Sequence, residues 1–443
     1  MNRRDFLKAA GAAALALPVS SLYAQQNTTT EPKSADEILD QVDSRIEKYR
    51  KGDAALSLIG PDGKPLDVGA AIKIRQKKHK FLFGCNVFKL ARCRTPEDNA
   101  AYEKRFAALL NYATLPFYWW SYEREKGKPD DARTEEIVRW CKASNVTTKG
   151  HPLAWNFVEQ DWLPDEPEAA MQAQFDRIEH CARQFKGDID IWDVVNEATH
   201  YDRPECRQRA PKLTQAIDKM GIGAYVRQAF TAARRGNPQA TLVINDYRTD
   251  PAYNEKVISQ LVDEDKKPLY DVIGIQSHMH GGYWGARRTW EVCEYFAKFA
   301  RPLHFTETTV ISGPHTPQGW LTTPEGEQTQ ARQVTEFYRV LFSHPAVHAV
   351  TWWDFTDQSA WQGAPAGLVR ADMTPKPAYE QLHELVKGKW WTQTQASVTE
   401  AGRAQFRGFF GQYEITAEVT GRQLTGAFRF DESTKQPIEV RLS

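Results

Sequence analysis

This 443-residue chain has no apolar stretch long enough to cross a bilayer as a stable helix, which excludes a helical membrane-spanning protein. It also lacks a charge excess: 57 Lys and Arg balance 57 Asp and Glu, so nothing points to nucleic acid or an anionic membrane as a partner. No CxxC pair occurs. The six cysteines, Cys85, Cys93, Cys141, Cys181, Cys206 and Cys293, show no metal-ligand spacing. They fit mostly buried free thiols, with one or two disulfides left open.

What the chain does have begins at its N-terminus. Asn2 to Lys8 is basic and Ala9 to Leu17 is apolar but too short for a stable spanning helix. Arg3 and Arg4, followed by Phe6 and Leu7, resemble a twin-arginine export signal, and Ser21-Leu-Tyr-Ala24 offers a cleavage site. Residues 1–24 are therefore expected to be removed, leaving a periplasmic or secreted protein with no membrane contact.

Residues 25–79 read as a linker, a short amphipathic helix and a β-hairpin: Ala54 to Ile59, a turn at Gly60-Pro-Asp-Gly63, then the alternating run from Ala71 to Arg75. Residues 80–389 alternate apolar strand runs with helical patterns. Eight candidate strands, Phe81–Cys85, Asn111–Pro116, Thr147–His151, Ile189–Asn196, Thr241–Asp246, Val272–Ser277, Leu303–Thr306 and Val347–Trp352, predict an α/β fold of the (β/α)8 TIM barrel type. Residues 390–443 alternate like strands and read as a small β-rich C-terminal appendage, which could pack on the N-terminal hairpin.

Two segments carry the chemistry. In Trp192-Asp-Val-Val-Asn-Glu197 and Phe305-Thr-Glu307 a glutamate follows a buried strand run, and the C-terminal ends of barrel strands are where such folds keep their reactive groups. Two carboxyl groups brought together there are what cleavage of a glycosidic bond requires. The fourteen tryptophans suit a protein that stacks on sugar faces, although barrel aromatics also serve as packing.

From Phe83-Gly84 through Pro375-Lys-Pro-Ala-Tyr379 the motifs occur in one order: Gly150-His-Pro-Leu-Ala-Trp-Asn156, Asp193-Val-Val-Asn-Glu197, Asn245-Asp-Tyr247, Gln276-Ser-His278, Thr306-Glu307, and Trp352-Trp-Asp-Phe-Thr-Asp357 with Trp361. In that order and spacing the chain resembles the family 10 glycoside hydrolases, best known as endo-1,4-β-xylanases. The resemblance implies a retaining mechanism with Glu197 as acid/base and Glu307 as nucleophile. It also implies that Asn196 bonds the 2-hydroxyl of the reacting sugar, that His278 orients the nucleophile, and that His151 and Gln276 contact that sugar. Trp155, Trp353 and Trp361 become candidate stacking platforms. A polysaccharide or oligosaccharide substrate is implied, no metal or other cofactor is expected, and the protein is expected to act as a monomer.

Two departures bear on the substrate. Where the family carries Glu, Asn and Lys ligands after the second strand, this chain has Asn111-Tyr-Ala-Thr-Leu-Pro-Phe-Tyr-Trp-Trp120, so aromatics stand in for polar ligands. Thr309 occupies the place of an aspartate two residues after the nucleophile. Other readings are a noncatalytic or weakly active carbohydrate-binding barrel, and a β-glycosidase of different sugar specificity. The His278-x-His280 pair also allows a metal-dependent barrel hydrolase, which chelator insensitivity would dismiss.

Overall fold

The computed structural model describes residues 33–419 and 421–443, so the expected signal segment lies outside the described residues. Two short helices open it, α1 (Ala35–Asp40) and α2 (Val42–Tyr49). The first starts on a reciprocal cap between Ser34 and Glu37. The guanidinium of Arg45 donates to Ile38 O at 2.6 Å and to Ser343 Oγ at 3.2 Å, tying both helices to the barrel helix Pro324–Ser343.

Strands β1 (Lys51–Ile59) and β2 (Ala71–His79) follow. The expected turn forms, with Gly63 N bonded to Gly60 O, but it returns the chain only as far as Pro65. The hairpin itself does not: β1 and β2 belong to different sheets. Each strand finds its partners more than 300 residues away, which local turn chemistry cannot foresee.

Eight parallel strands then close into a barrel: β3 (Leu82–Asn86), β4 (Tyr112–Pro116), β5 (Thr147–His151), β6 (Ile191–Asn196), β7 (Thr241–Asp246), β8 (Val272–His278), β9 (Leu303–Thr309) and, after the short pair β10 (His315–Thr316) and β11 (Gly319–Trp320), β12 (Val347–Trp352). The strands are buried along nearly their whole length, as parallel strands covered by helices must be. Glycine is required where neighbours come closest. A Cβ on Gly150 would lie 2.1 Å from the indole of Trp192, its partner on β6. Among the described residues no helix is long and apolar enough to cross a membrane, and all six cysteines are unpaired.

The tail supplies β13 (Gln393–Ser397), β14 (Arg403–Phe409), β15 (Gly411–Val419), β16 (Arg422–Phe430) and β17 (Ile438–Arg441). They sandwich β1 and β2: one sheet runs β14-β1-β17, the other β13-β2-β15-β16. Alternate residues such as Leu56, Leu58, Ile72, Ile74, Ile415 and Val440 point inward to a separate core. This sandwich lies at the N-terminal ends of the barrel strands. His79 packs edge-on against Phe83, Phe342, Trp391 and Phe409, and Arg50 donates to the carbonyls of Phe342, His344 and Val347. The opposite end is left to the loops that carry the candidate chemistry.

Candidate active site

Glu197 is the residue after β6 and adopts a left-handed backbone, φ +56°, that a non-glycine residue rarely occupies. Its N–H donates to Asn245 O at 2.9 Å, which holds the turn in place. The side chain is 12% exposed. Its Oε1 accepts from Gln276 Nε2 at 3.2 Å and its Oε2 accepts from Arg203 Nη2 at 2.6 Å.

Glu307 is buried within β9, opposite Gln276 in the ladder with β8. Asn245 Nδ2 donates to its Oε1 at 2.9 Å, and His278 Nε2 lies 3.2 Å from its Oε2. Burial pushes its pKa up to about 7; the charge of Glu197 adds to this, while His151, Lys149 and the Asn245 hydrogen bond act against it. Asn245 Nδ2 and Gln276 Nε2 also share Asn196 Oδ1, at 2.8 and 3.2 Å. Three amide side chains therefore bridge the two carboxyl groups and fix their separation.

The histidines are set by different partners. His151 Nδ1 lies 2.7 Å from Asp193 Oδ2, which leaves Nε2 facing Glu307 Oε1 at 3.8 Å. Asp193 also pairs with Lys149 at 2.7 Å, both side chains fully buried. Burial alone would raise the Asp193 pKa, but Lys149 and His151 outweigh it and hold the carboxyl below its usual range. His278 engages Glu307 through Nε2 and Thr309 Oγ1 through Nδ1, at 2.8 Å. Burial pushes the His278 pKa down to about 3, so its imidazole is neutral.

Of the three tryptophans, Trp353 stands edge-on to His151 and His278, at 5.5 and 5.7 Å between ring centroids, and Trp361 lies 4.5 Å from His278. Trp155 belongs to the other wall, beside Tyr118, Trp120 and Phe157. The structure thus gathers Glu197, Glu307, His151, Asn196, Gln276, His278, Trp353 and Trp361 in one contact network, with Trp155 joined through Tyr118, which contacts His151 at 5.5 Å. His280, the other half of the His-x-His pair, packs on Trp361.

Sequence reasoning gave no role to Lys149, Asp193, Asn245, Tyr118 or Arg203. A signal existed for Lys149: a lysine inside a strand otherwise read as buried needs a partner, and it shares a strand face with His151 two residues on. Asn245 stood in a quoted motif, one residue short of the strand end. Arg203, a loop arginine among other charges, gave none.

A parallel barrel whose strand ends present two amide-bridged carboxyl groups between aromatic walls defines the class: a (β/α)8 protein with a paired-carboxyl site. Comparison with known proteins then identifies the family. The pattern of glycosyl hydrolase family 10 matches residues 76–385, well over half the chain, and the chain belongs to that family. Residues 1–18 match the twin-arginine translocation signal sequence, which marks the protein for export. Similar curated proteins include anti-sigma-I factor RsgI6 of Acetivibrio thermocellus, 25% identical over 405 residues, covering 89% of this chain and 48% of that protein. Endo-1,4-beta-xylanase 1 of Arabidopsis thaliana is 25% identical over 416 residues, covering 90% and 40%. The chain thus spans under half the length of these relatives. Among solved structures, a family 10 protein from Paenibacillus barcinonensis superposes with a TM-score of 0.59 at 20% identity, covering 70% of this chain and 96% of that one. Xylanase 10B from Thermotoga petrophila in complex with xylobiose gives 0.57 at 24% identity, covering 70% and 95%. These structures share the barrel fold.

Proposed function

We propose that the protein is an exported retaining glycoside hydrolase that cleaves β-1,4-xylan or a related β-linked polysaccharide by double displacement. One observation carries this: two carboxyl groups, Glu197 at the cleft and Glu307 buried beneath it, are bridged by Asn196, Asn245 and Gln276. In this reading Glu307 attacks the anomeric carbon while Glu197 protonates the departing oxygen. Water, deprotonated by Glu197, then releases the sugar from Glu307. Asn196 meets the 2-hydroxyl, His151 and Gln276 contact the reacting sugar, and Trp155, Trp353 and Trp361 form its stacking surfaces. The barrel, residues 80–389, carries the chemistry, and residues 25–79 and 390–443 support it. The protein acts as a monomer, without nucleic acid. The names of the plant and bacterial xylanases among its relatives support xylan as the substrate class.

Chromatography of products from plain and decorated xylans, mixed-linkage glucans and aryl β-glycosides tests the reading. Xylo-oligosaccharides released by the mature protein and absent with Glu307→Ala support it. Products from glucans alone would replace the specificity. No product from any substrate would leave a binding barrel.

A further inference from the structure

Beside Glu197 the loops after β5 and β6 enclose polar groups that the double displacement does not use. Arg203 is satisfied by Glu197, to which Nη2 donates, and by a side-chain hydrogen bond with Cys206. Arg209 is different: its Nη1 and Nη2 are buried without a partner among the described residues, as are the amide of Gln160, a residue 5% exposed, and Trp155 Nε1. The two guanidinium groups share one ring, lying 5.7 Å (Arg203) and 4.8 Å (Arg209) from the centroid of Phe157, which stacks on Trp155. The loops are laced together by Glu159 N donating to Arg209 O. The Glu159 carboxylate is turned to the backbone, its Oε2 accepting from the N–H groups of Lys212 and Leu213.

Enclosed guanidinium donors without acceptors are costly, and an anion with two oxygens satisfies them best, since the planar fork of arginine matches a carboxylate. The ion pair with Glu197 raises a second demand. Both oxygens of Glu197 are engaged, Oε1 by Gln276 and Oε2 by Arg203 at 2.6 Å, whereas the proposed first step needs one of them turned to the glycosidic oxygen. Something must draw Arg203 away.

We propose that these donors bind the carboxylate of a uronic acid substituent on the polysaccharide, with Arg209 as its fixed ligand and Arg203 passing from Glu197 to the substrate. The proposal rests on the xylan-cleaving reading above and narrows its substrate to acidic, decorated chains. Arg203 and Arg209 thereby become specificity-determining residues: an incoming acid group both anchors the chain and frees Glu197.

The test compares a glucuronic-acid-branched xylan with the same xylan after chemical reduction of its carboxyl groups. The acidic form is expected to give a kcat/KM about tenfold higher, the scale of one charge-assisted pair. In Arg209→Met the ratio should fall to about one, and Arg209→Lys should keep part of it. Equal rates on both substrates in the wild type, or equal loss on both in Arg209→Met, overturns the proposal. If the wild type cleaves neither, the hydrolase reading falls, and calorimetry on Glu307→Ala decides the carboxylate site independently. Tighter binding of an acidic xylo-oligosaccharide than of its carboxyl-reduced form supports the site; equal or absent binding refutes it.

Discussion

His278 stands between Glu307 and Thr309, its Nε2 3.2 Å from the carboxylate and its Nδ1 2.8 Å from the threonine hydroxyl. Because the imidazole is neutral it has one donor and one acceptor, and a hydroxyl can complement either tautomer. An aspartate in that place could only accept. Thr309 therefore lets Nε2–H point at an ionised Glu307 and adds no further negative charge beside the ring. Replacing the hydroxyl by a methyl leaves Nδ1 buried and unpaired, a loss of about 1–3 kcal/mol. Thr309→Val should lower kcat about tenfold with little change in KM, and Thr309→Ser should restore most of it. Unaltered kcat in Thr309→Val would show that Trp353 and Trp361 suffice to hold the ring.

The pH profile follows from the burial of Glu307. A nucleophile must be ionised, and with its pKa pushed up to about 7 the acid limb of kcat/KM should fall near that value rather than at 4 to 5. The charge of Glu197 contributes to the rise. In Glu197→Gln, measured on an aryl glycoside whose leaving group needs no proton, the limb should move to lower pH. A limb that stays in place would remove Glu197 as a cause.

The same shift has a thermodynamic sign. A carboxyl whose folded pKa lies above its unfolded value binds more protons in the native state, so its contribution to stability is present at low pH and declines as pH rises from about 4.5 through about 7. Neutral Glu307→Gln escapes that decline. Its melting temperature should exceed that of the wild type at pH 8 and approach it at pH 4. Parallel melting curves across that range would contradict the raised pKa.

Lys149 and Asp193 form a fully buried pair beneath the site, and Asp193 in turn sets the ring of His151. Removing one partner leaves an uncompensated charge, which costs about 3–5 kcal/mol. Lys149→Met should lower the midpoint of denaturant unfolding accordingly, and pairing it with Asp193→Asn should recover part of the loss. A single variant as stable as the wild type would mean that His151 alone balances Asp193.

Where burial dictated pattern, the fold was legible. The runs Thr147–His151, Thr241–Asp246 and Val347–Trp352 are strands to the residue, because apolar runs between turn residues leave parallel barrel strands little freedom. Pattern failed where polar side chains enter the site. Strand β9 continues past Thr306 to Thr309 because Glu307, Thr308 and Thr309 stay in register with Gln276, Ser277 and His278; the glutamate ends the apolar run that marks a buried strand, and the β-branched threonines after it carry the ladder on. Sequence-level rules are expected to break at such places. The strand runs singled out Glu197 and Glu307 and the resemblance supplied their roles, but the ion pair that Arg203 makes with Glu197 depends on how a loop folds back, and no spacing encodes that.

The sandwich is completed only by the end of the chain. Its strands β13 to β17 come from the C-terminal tail, yet β1 and β2 depend on them for every ladder partner. Deleting Trp390 to Ser443 would expose the inner faces of β1 and β2, including Leu56, Leu58, Ile72 and Ile74, and strip Phe409 and Trp390 from the rings of Phe342 and His79. Two unpaired strands with apolar faces invite pairing between chains. The truncated protein should be insoluble or aggregated by size-exclusion chromatography, even though the catalytic end of the barrel lies on the far side. A soluble truncation with full turnover would show instead that the barrel is closed without the sandwich and that the tail serves another purpose.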